Sequence, residues 1–366
     1  MLDNSAAELD LSSLGHAAAA ETAEALACLP AVTHIKLGAQ SAGSDALTLA
    51  DIGAIHEACP NAELDYSLTL YGHEINLSAS SLDFRGTQIS DEAAALAEVL
   101  PLMMRCTYLD MDNTGVSNEA LAKIREQFPN IDVVWRVWFG TNYSVRTDTE
   151  RILASKPSVG GLIDDSEAAK LKYCTKVKYM DLGHNEFIYD ISFVRSMPDL
   201  EVFIIAMNGV SDLSPLESCP KLEYLEIFTT PVSDLSPLRN AKALRHLNIS
   251  NCHNLSDISP IFGLTELERL WIGTATPVPE EQVQQMQKNA PNCKISTSSE
   301  DPHGDYWRYT WYDENNATYH WVPRYEKLRE QLGYNYQEYS FYWLDEKCEK
   351  SAPPEYVGIY YGKADE

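Results

Sequence analysis

The chain has 366 residues and sets 28 Lys and Arg against 54 Asp and Glu, a net charge of −26. Binding to nucleic-acid phosphates or to anionic membrane surfaces draws on clustered Lys and Arg, so this balance argues against both partners. No uncharged apolar run reaches the roughly 18 residues of a membrane span, and Met1 to Pro30 holds no Lys or Arg. A signal peptide's basic start is therefore missing, and the expectation is a cytoplasmic protein or one whose leader has been removed.

In chain order, residues 1–174 come first and contain an internal duplication. Leu9-Asp10-Leu11 matches Leu82-Asp83-Phe84, and Ile35-Lys36-Leu37 matches Leu109-Asp110-Met111. The run from Cys59-Pro60-Asn61 to Leu70-Tyr71-Gly72 matches Phe128-Pro129-Asn130 to Phe139-Gly140. Within each copy, short strands alternate with amphipathic helices such as 91–102 and 118–127. Cys59-Pro60-Asn61, Phe128-Pro129-Asn130 and Ala290-Pro291-Asn292 each stop a helix before a strand, because proline cannot continue it. Alternation through Tyr66, Leu68 and Leu70, then Gly72, then Ile75 and Leu77 predicts a hairpin projecting from the stack, with a second one over 133–145.

Residues 175–296 follow, where one pattern restarts at Val177, Leu200, Leu222, Leu244 and Leu267, every 22 or 23 residues. From Leu222 it runs Leu225, Ile227, Val232, Asp234, Leu235, Pro237, Leu238, and from Leu200 it runs Phe203, Ile205, Asn208, Val210, Asp212, Leu213, Pro215, Leu216. This is a leucine-rich repeat, in which each coil buries its apolar positions against the next. The duplicated segment before it reads as the longer strand-plus-helix form of the same repeat. Asp212, Asp234 and Asp257 are expected to cap the turns, and Asn185 and Asn208 to bond neighbouring backbone.

Residues 297–366 change character, with nearly half of the chain's aromatic residues in under a fifth of its length. Two readings stand: a cap laid over the open end of the solenoid, or an aromatic platform for sugars or peptides.

The eight cysteines suggest neither disulfides nor zinc. Cys174 and Cys219 stand three residues before a repeat start, where Met197, Ala241 and Leu264 stand in other coils, which describes a small apolar slot. Cys106 fits it too, and Cys28 and Cys59 also end helical segments just before a strand, so buried reduced thiols are expected. No phosphate loop, HExxH, GxSxG or dinucleotide fingerprint occurs. His184 with Glu186, His253 after Cys252, and His303 near Asp305 are single local groupings, and His184 is expected to be solvated in its turn. One turn carboxylate per coil falls short of the oxygens that calcium needs. Neither a catalytic residue, a metal nor a cofactor is expected.

Leu109-Asp110-Met111-Asp112, the run 134–140 (VWRVWFG), Tyr143-Ser144-Val145-Arg146-Thr147-Asp148, the run 153–161 (LASKPSVGG), Leu182-Gly183-His184-Asn185, the run 267–273 (LERLWIG) and Pro323-Arg324-Tyr325 resemble the leucine-rich repeat proteins of anaerobic gut Firmicutes, a family without known activity. The short repeats with Ser-Asp-Leu-Ser-Pro-Leu turns are similar to those of internalins, which bind host receptors through the concave sheet. The resemblance implies a secreted or surface-attached binding protein.

Function is then expected on the concave face. With positions 1, 4 and 6 of each repeat pointing inward, positions 3, 5 and 7 point out. Column three is Tyr179, Val202, Tyr224, His246 and Arg269. Column five is Asp181, Ile204, Glu226, Asn248 and Trp271, and column seven includes Phe228. Val202, Ile204, Tyr224, Phe228 and Trp271 form an apolar strip flanked by Asp181, Glu226, His246 and Arg269, the composition of a binding hot spot. The strip is either a ligand surface or a face covered by the C-terminal tail or the hairpins. The expected fold is an α/β solenoid, a leucine-rich repeat horseshoe with a parallel concave sheet and an aromatic C-terminal cap. The expected function is non-catalytic recognition of an extracellular protein or glycan. A glycan-binding scaffold using the aromatic tail is the alternative, and an uncharacterised hydrolase the third.

Overall fold

The computed structural model describes residues 7–140, 143–155, 163–304, 306–313 and 318–333, with backbone alone between 310 and 321. The chain divides into two compact units, residues 1–136 and 137–366. The division falls inside the second long repeat.

In the first unit, β1 (Glu8–Asp10), β2 (His34–Ala39) and β3 (Glu63–Leu70) pair in parallel, and β4 (His73–Asn76) returns antiparallel along β3. Tyr71 and Gly72, both at positive φ, make the tight turn of this hairpin. A second parallel set, β5 (Ser81–Asp83), β6 (Tyr108–Asp110) and β7 (Asp132–Val134), repeats the plan. The connections run through helices α1 (His16–Leu26), α2 (Leu49–Ala58), α3 (Ala94–Val99) and α4 (Asn118–Gln127). Thr48 and Asp51 close a reciprocal capping box on α2, and Ser117 accepts the Ala120 N–H at the start of α4. Both helices bury one stripe only, Ile52 with Ile55 and Leu121 with Ile124, as a helix lying on a sheet should.

The second unit opens on a two-stranded hairpin, β8 (Arg136–Phe139) with β9 (Tyr143–Arg146). A seven-stranded parallel sheet follows: β10 (Arg151–Leu153), β11 (Tyr179–Asp181), β12 (Val202–Ile204), β13 (Tyr224–Glu226), β14 (His246–Asn248), β15 (Arg269–Trp271) and β16 (Lys294–Ser296), in chain order without a crossover. The register sets Tyr179 opposite Val202, Val202 opposite Tyr224, Tyr224 opposite His246 and His246 opposite Arg269. The spacing read from the sequence is thus one strand per restart.

Behind the strands, helix α5 (Asp165–Ala168) and then short 3-10 turns over Ser192–Ser196, Ser214–Ser218, Ser236–Asn240 and Ser259–Ile261 carry the chain back, until α6 (Glu280–Asn289) replaces the turn. The Ser-Asp-Leu-Ser-Pro-Leu motif works locally: Asp212, Asp234 and Asp257 accept the N–H of Ser214, Ser236 and Ser259 at 2.8, 2.7 and 2.8 Å. Proline then sits in the first turn, where its missing N–H costs nothing. Asn185 and Asn208 donate to the Leu182 carbonyl at 2.9 and 3.2 Å and so join adjacent coils.

The cysteine slot is present beneath the strands. Cys59, Cys106, Cys174, Cys219, Cys252 and Cys293 are buried, and the thiols of Cys219 and Cys252 lie 3.6 and 3.2 Å from carbonyls of the preceding coil. Cys28 is exposed, contrary to expectation. Leu29, three residues before buried Val32, fills the slot in that coil and turns its neighbour Cys28 outward. Cys348 lies outside the described residues.

Candidate functional site

After β16 the chain turns back over the outward-facing columns of the seven-stranded sheet. Residues 301–308, the hairpin of β17 (Tyr309–Asp313) with β18 (Thr318–Trp321), and helix α7 (Pro323–Leu332) form this return, and α7 reaches β10 and β11. Pro323 starts the helix, and Gly333 at φ 76° ends it with a left-handed cap.

The strip singled out in the sequence lies beneath this return. Val202, Ile204, Tyr224, Phe228 and Trp271 form one buried cluster with Trp307, Val322, Tyr325, Leu328 and Leu332, and Tyr179 packs at its edge. Trp307 is central, its ring centroid 5.4 Å from Tyr224 and 5.3 Å from Trp271, with the Arg269 guanidinium 4.4 Å above its ring. Each buried apolar side chain of this kind contributes about 1.5–3 kcal/mol. The return is therefore core packing and not a loose flap.

The polar flank is engaged in the same way. Glu226, fully buried, accepts the Trp307 indole N–H at 2.8 Å, the Arg308 Nε–H at 3.2 Å, and further bonds from Arg308 Nη2 and the Tyr224 hydroxyl. Asn248 donates to the Pro302 carbonyl at 2.8 Å, and Trp271 to Gly304 at 3.3 Å. Arg269 donates to Tyr306 and Trp307 carbonyls at 3.1 and 2.7 Å. Arg269 also donates to His246 Nδ1 at 3.1 Å. Asp181 is buried and turned to its own backbone, accepting the Gly183 N–H at 2.9 Å. All ten expected ligand residues are thus brought together on one face. There the C-terminal return packs on Val202, Ile204, Tyr224, Glu226, Phe228 and Trp271, while Tyr179 and Arg269 stay half-buried.

The electrostatics follow from this burial. Burial alone would raise the Glu226 carboxyl, but the Arg308 guanidinium outweighs it and holds the group below its usual range. Burial, then Arg269 and Arg324, push the His246 imidazole down to about 2. His184, expected in solvent, is half-buried. Its pKa falls to about 4, first through burial and then through His303 and Arg308. His303 is lowered by burial and by Arg308, and packs edge-on to Phe228 at 4.9 Å. Each of these histidines lies near an arginine, which together with burial disfavours its charged form.

Sequence reasoning missed Trp307 and Arg308 as partners of the strip. The signal available was Glu226 itself, a carboxylate among apolar column neighbours, which calls for a buried cation. The first unit holds a cleft of about 590 Å³ lined in part by His16, Gln40, Thr48, Tyr66 and Leu70. Several of its lining residues bond within the protein: Gln40 accepts the Thr69 N–H at 3.1 Å, and the Thr48 N–H and His16 Nδ1 each lie 2.8 Å from the Asp51 carboxylate. Among the described residues no group of His, Cys, Asp and Glu could hold a metal ion, and no helix is long and apolar enough to cross a membrane.

Residues 198–240 match the family model of leucine-rich repeats in two copies. No curated protein matches the chain. Among solved structures, internalin C2 from Listeria monocytogenes is similar at 17% identity over 79% of this chain and 96% of that one, with a TM-score of 0.35. A leucine-rich repeat protein of Leptospira interrogans is similar at 17% identity over 74% of each chain, also at 0.35. At these scores the repeat architecture stands on the parallel ladder and on the family match.

Proposed function

We propose that the chain is a non-catalytic recognition protein that binds a protein ligand, secreted or held at a cell surface as in the gut bacterial proteins it resembles. The observation that supports this is the coil frame itself. Inward positions stay apolar from repeat to repeat, while the outward positions differ at every coil, as in a scaffold that carries a surface. In this reading the columns from Tyr179 to Trp271 serve a ligand only where residues 302–332 have left them. The first contact with a partner falls on surfaces that stay open, such as the rim after β11 and β12.

The glycan-scaffold reading draws less support. Of the tail's aromatic rings, Trp307 and Tyr325 are buried in the concave face, and Tyr334, Tyr336, Tyr339, Phe341, Tyr342, Trp343, Tyr356, Tyr360 and Tyr361 lie outside the described residues. The test is an array of extracellular proteins, glycans, peptidoglycan and mucin probed with the intact chain. Saturable binding to a protein supports the reading. Saturable binding to glycan alone would favour the scaffold, and turnover of arrayed material would favour a hydrolase.

A further inference from the structure

Three of the six most exposed large apolar side chains among the described residues stand on one rim of the second unit: Phe187 at 45%, Tyr189 at 57% and Met207 at 37%. They lie on adjacent coils. The His184 N–H donates to the Ala206 carbonyl at 2.9 Å, and the Asn185 N–H to Asn208 Oδ1 at 3.3 Å, so the turn carrying Phe187 is bonded to the turn carrying Met207. Tyr189 lies flat against Gly209, where an added methyl group would fall 2.4 Å from a ring carbon. The backbone under these rings is fixed: the N–H groups of Tyr189 and Asp190 both donate to Asp165 Oδ1, at 2.7 and 2.8 Å.

Met207 adds a second, independent sign. Several coils place the residue three beyond the strand's last residue in the left-handed region, where its N–H bonds the next coil, as with His184, Met207 and Thr229. Gly86, Asn113 and Asn251 fill this place in other coils and suit it. Met207, at φ 59°, does not, and its side chain is also left in water. The bond from the Met207 N–H to the Phe228 carbonyl at 3.0 Å holds this conformation, as in the neighbouring coils, but the apolar side chain itself is left in water, and exposed apolar side chains that gather on one rim mark sites of contact.

The surroundings are mainly acidic. The two turns with their return segments, residues 183–196 and 206–218, set Glu186, Asp190, Asp212 and Glu217 against one cation, Arg195, which donates to Ser214 Oγ at 3.3 Å on the neighbouring coil. We propose that Phe187, Tyr189 and Met207 form an interaction surface for a basic, amphipathic segment of a partner protein, whose apolar residues cover the patch and whose Lys and Arg meet the acidic rim. This rests on the recognition reading above and names the surface and the partner's chemistry.

The probe is a fluorescently labelled synthetic helix of Lys and Leu, titrated with the intact chain and compared with a Glu and Leu counterpart and with polylysine. The Lys and Leu helix should bind, weaken as salt rises, and lose about tenfold or more in affinity to Phe187→Ser and to Met207→Asn, as hot-spot truncations do. Met207→Asn separates contact from folding, because Asn tolerates the left-handed region and should keep or raise the melting temperature while binding falls. The proposal is overturned if the wild-type chain does not bind the Lys and Leu helix. It is equally overturned if the Glu and Leu helix binds as well, if polylysine binds as tightly, or if both variants bind unchanged. A protein hit on the array that survives both variants would sink this surface and leave the recognition reading standing.

Discussion

Glu226 and Arg308, 82 residues apart in sequence, meet in the interior of the second unit, where the guanidinium of the C-terminal return closes on a carboxylate of the parallel sheet. Both side chains are withdrawn from water, and Trp307 and Tyr224 supply the remaining bonds to the carboxylate. Removing one partner of such a pair strands the other. Arg308→Ala is expected to cost about 3–5 kcal/mol in chemical denaturation, and a Glu226→Gln, Arg308→Met double variant to cost less than the Arg308 change alone. Equal losses in the two proteins would show that the carboxylate is not the source of the cost.

The strip beneath the return should behave as core. Trp271→Ala and Tyr224→Ala are each expected to lower stability by about 3–5 kcal/mol, the range for deleting a buried large ring. A surface role would leave the melting temperature nearly unchanged. Paired melting curves of the two variants therefore separate a packed face from an open one.

Acid should weaken the second unit before its carboxylates titrate. His246 and His184 are held neutral, with folded pKa values of about 2 and about 4 against an unfolded value near 6.5. A depressed folded pKa contributes stability that is complete above the unfolded pKa and is lost as pH falls. The loss is about 1.4 kcal/mol per pH unit for a fully buried group, and less for the half-buried His184. Denaturation midpoints should fall between pH 6.5 and 4. His246→Asn should flatten that slope, and an unchanged slope would remove His246 from the account.

Thiol chemistry should sort the cysteines by coil register. Cys28 is exposed and should react with a thiol reagent in the native protein. Cys219 and Cys293, raised by burial to about 11 and about 12, should react only on unfolding. Mass mapping of labelled peptides reads this directly.

The repeat was legible because its signal is local: inward leucines at fixed spacing, Asp-Leu-Ser-Pro turns, and small residues in the slot under the strand. Cys28 departs from it by one residue, since Leu29 stands three before Val32 and fills the slot instead. The columns of the concave face were legible too, as the strand register sets Tyr179, Val202, Tyr224, His246 and Arg269 side by side. What covers them was not. The link from Glu226 to Trp307 and Arg308 is a long-range pairing between a repeat and a segment without one, and no periodicity reports it. His184 was misplaced for a like reason, because the return brings His303 and Arg308 near enough to act on its imidazole, which its own turn does not report.

Trp307, Val322 and the Tyr325, Leu328 and Leu332 face of α7 are packed as part of the second unit's core, and amide hydrogen exchange across α7 is the decisive measurement. A ten-residue helix has little stability of its own in water. Slow exchange at Tyr325, Leu328 and Leu332, with protection close to that of β12 to β14, is the predicted result. Exchange of those amides at the rate of a free peptide, while β12 to β14 stay protected, would contradict it and return the concave strip to solvent.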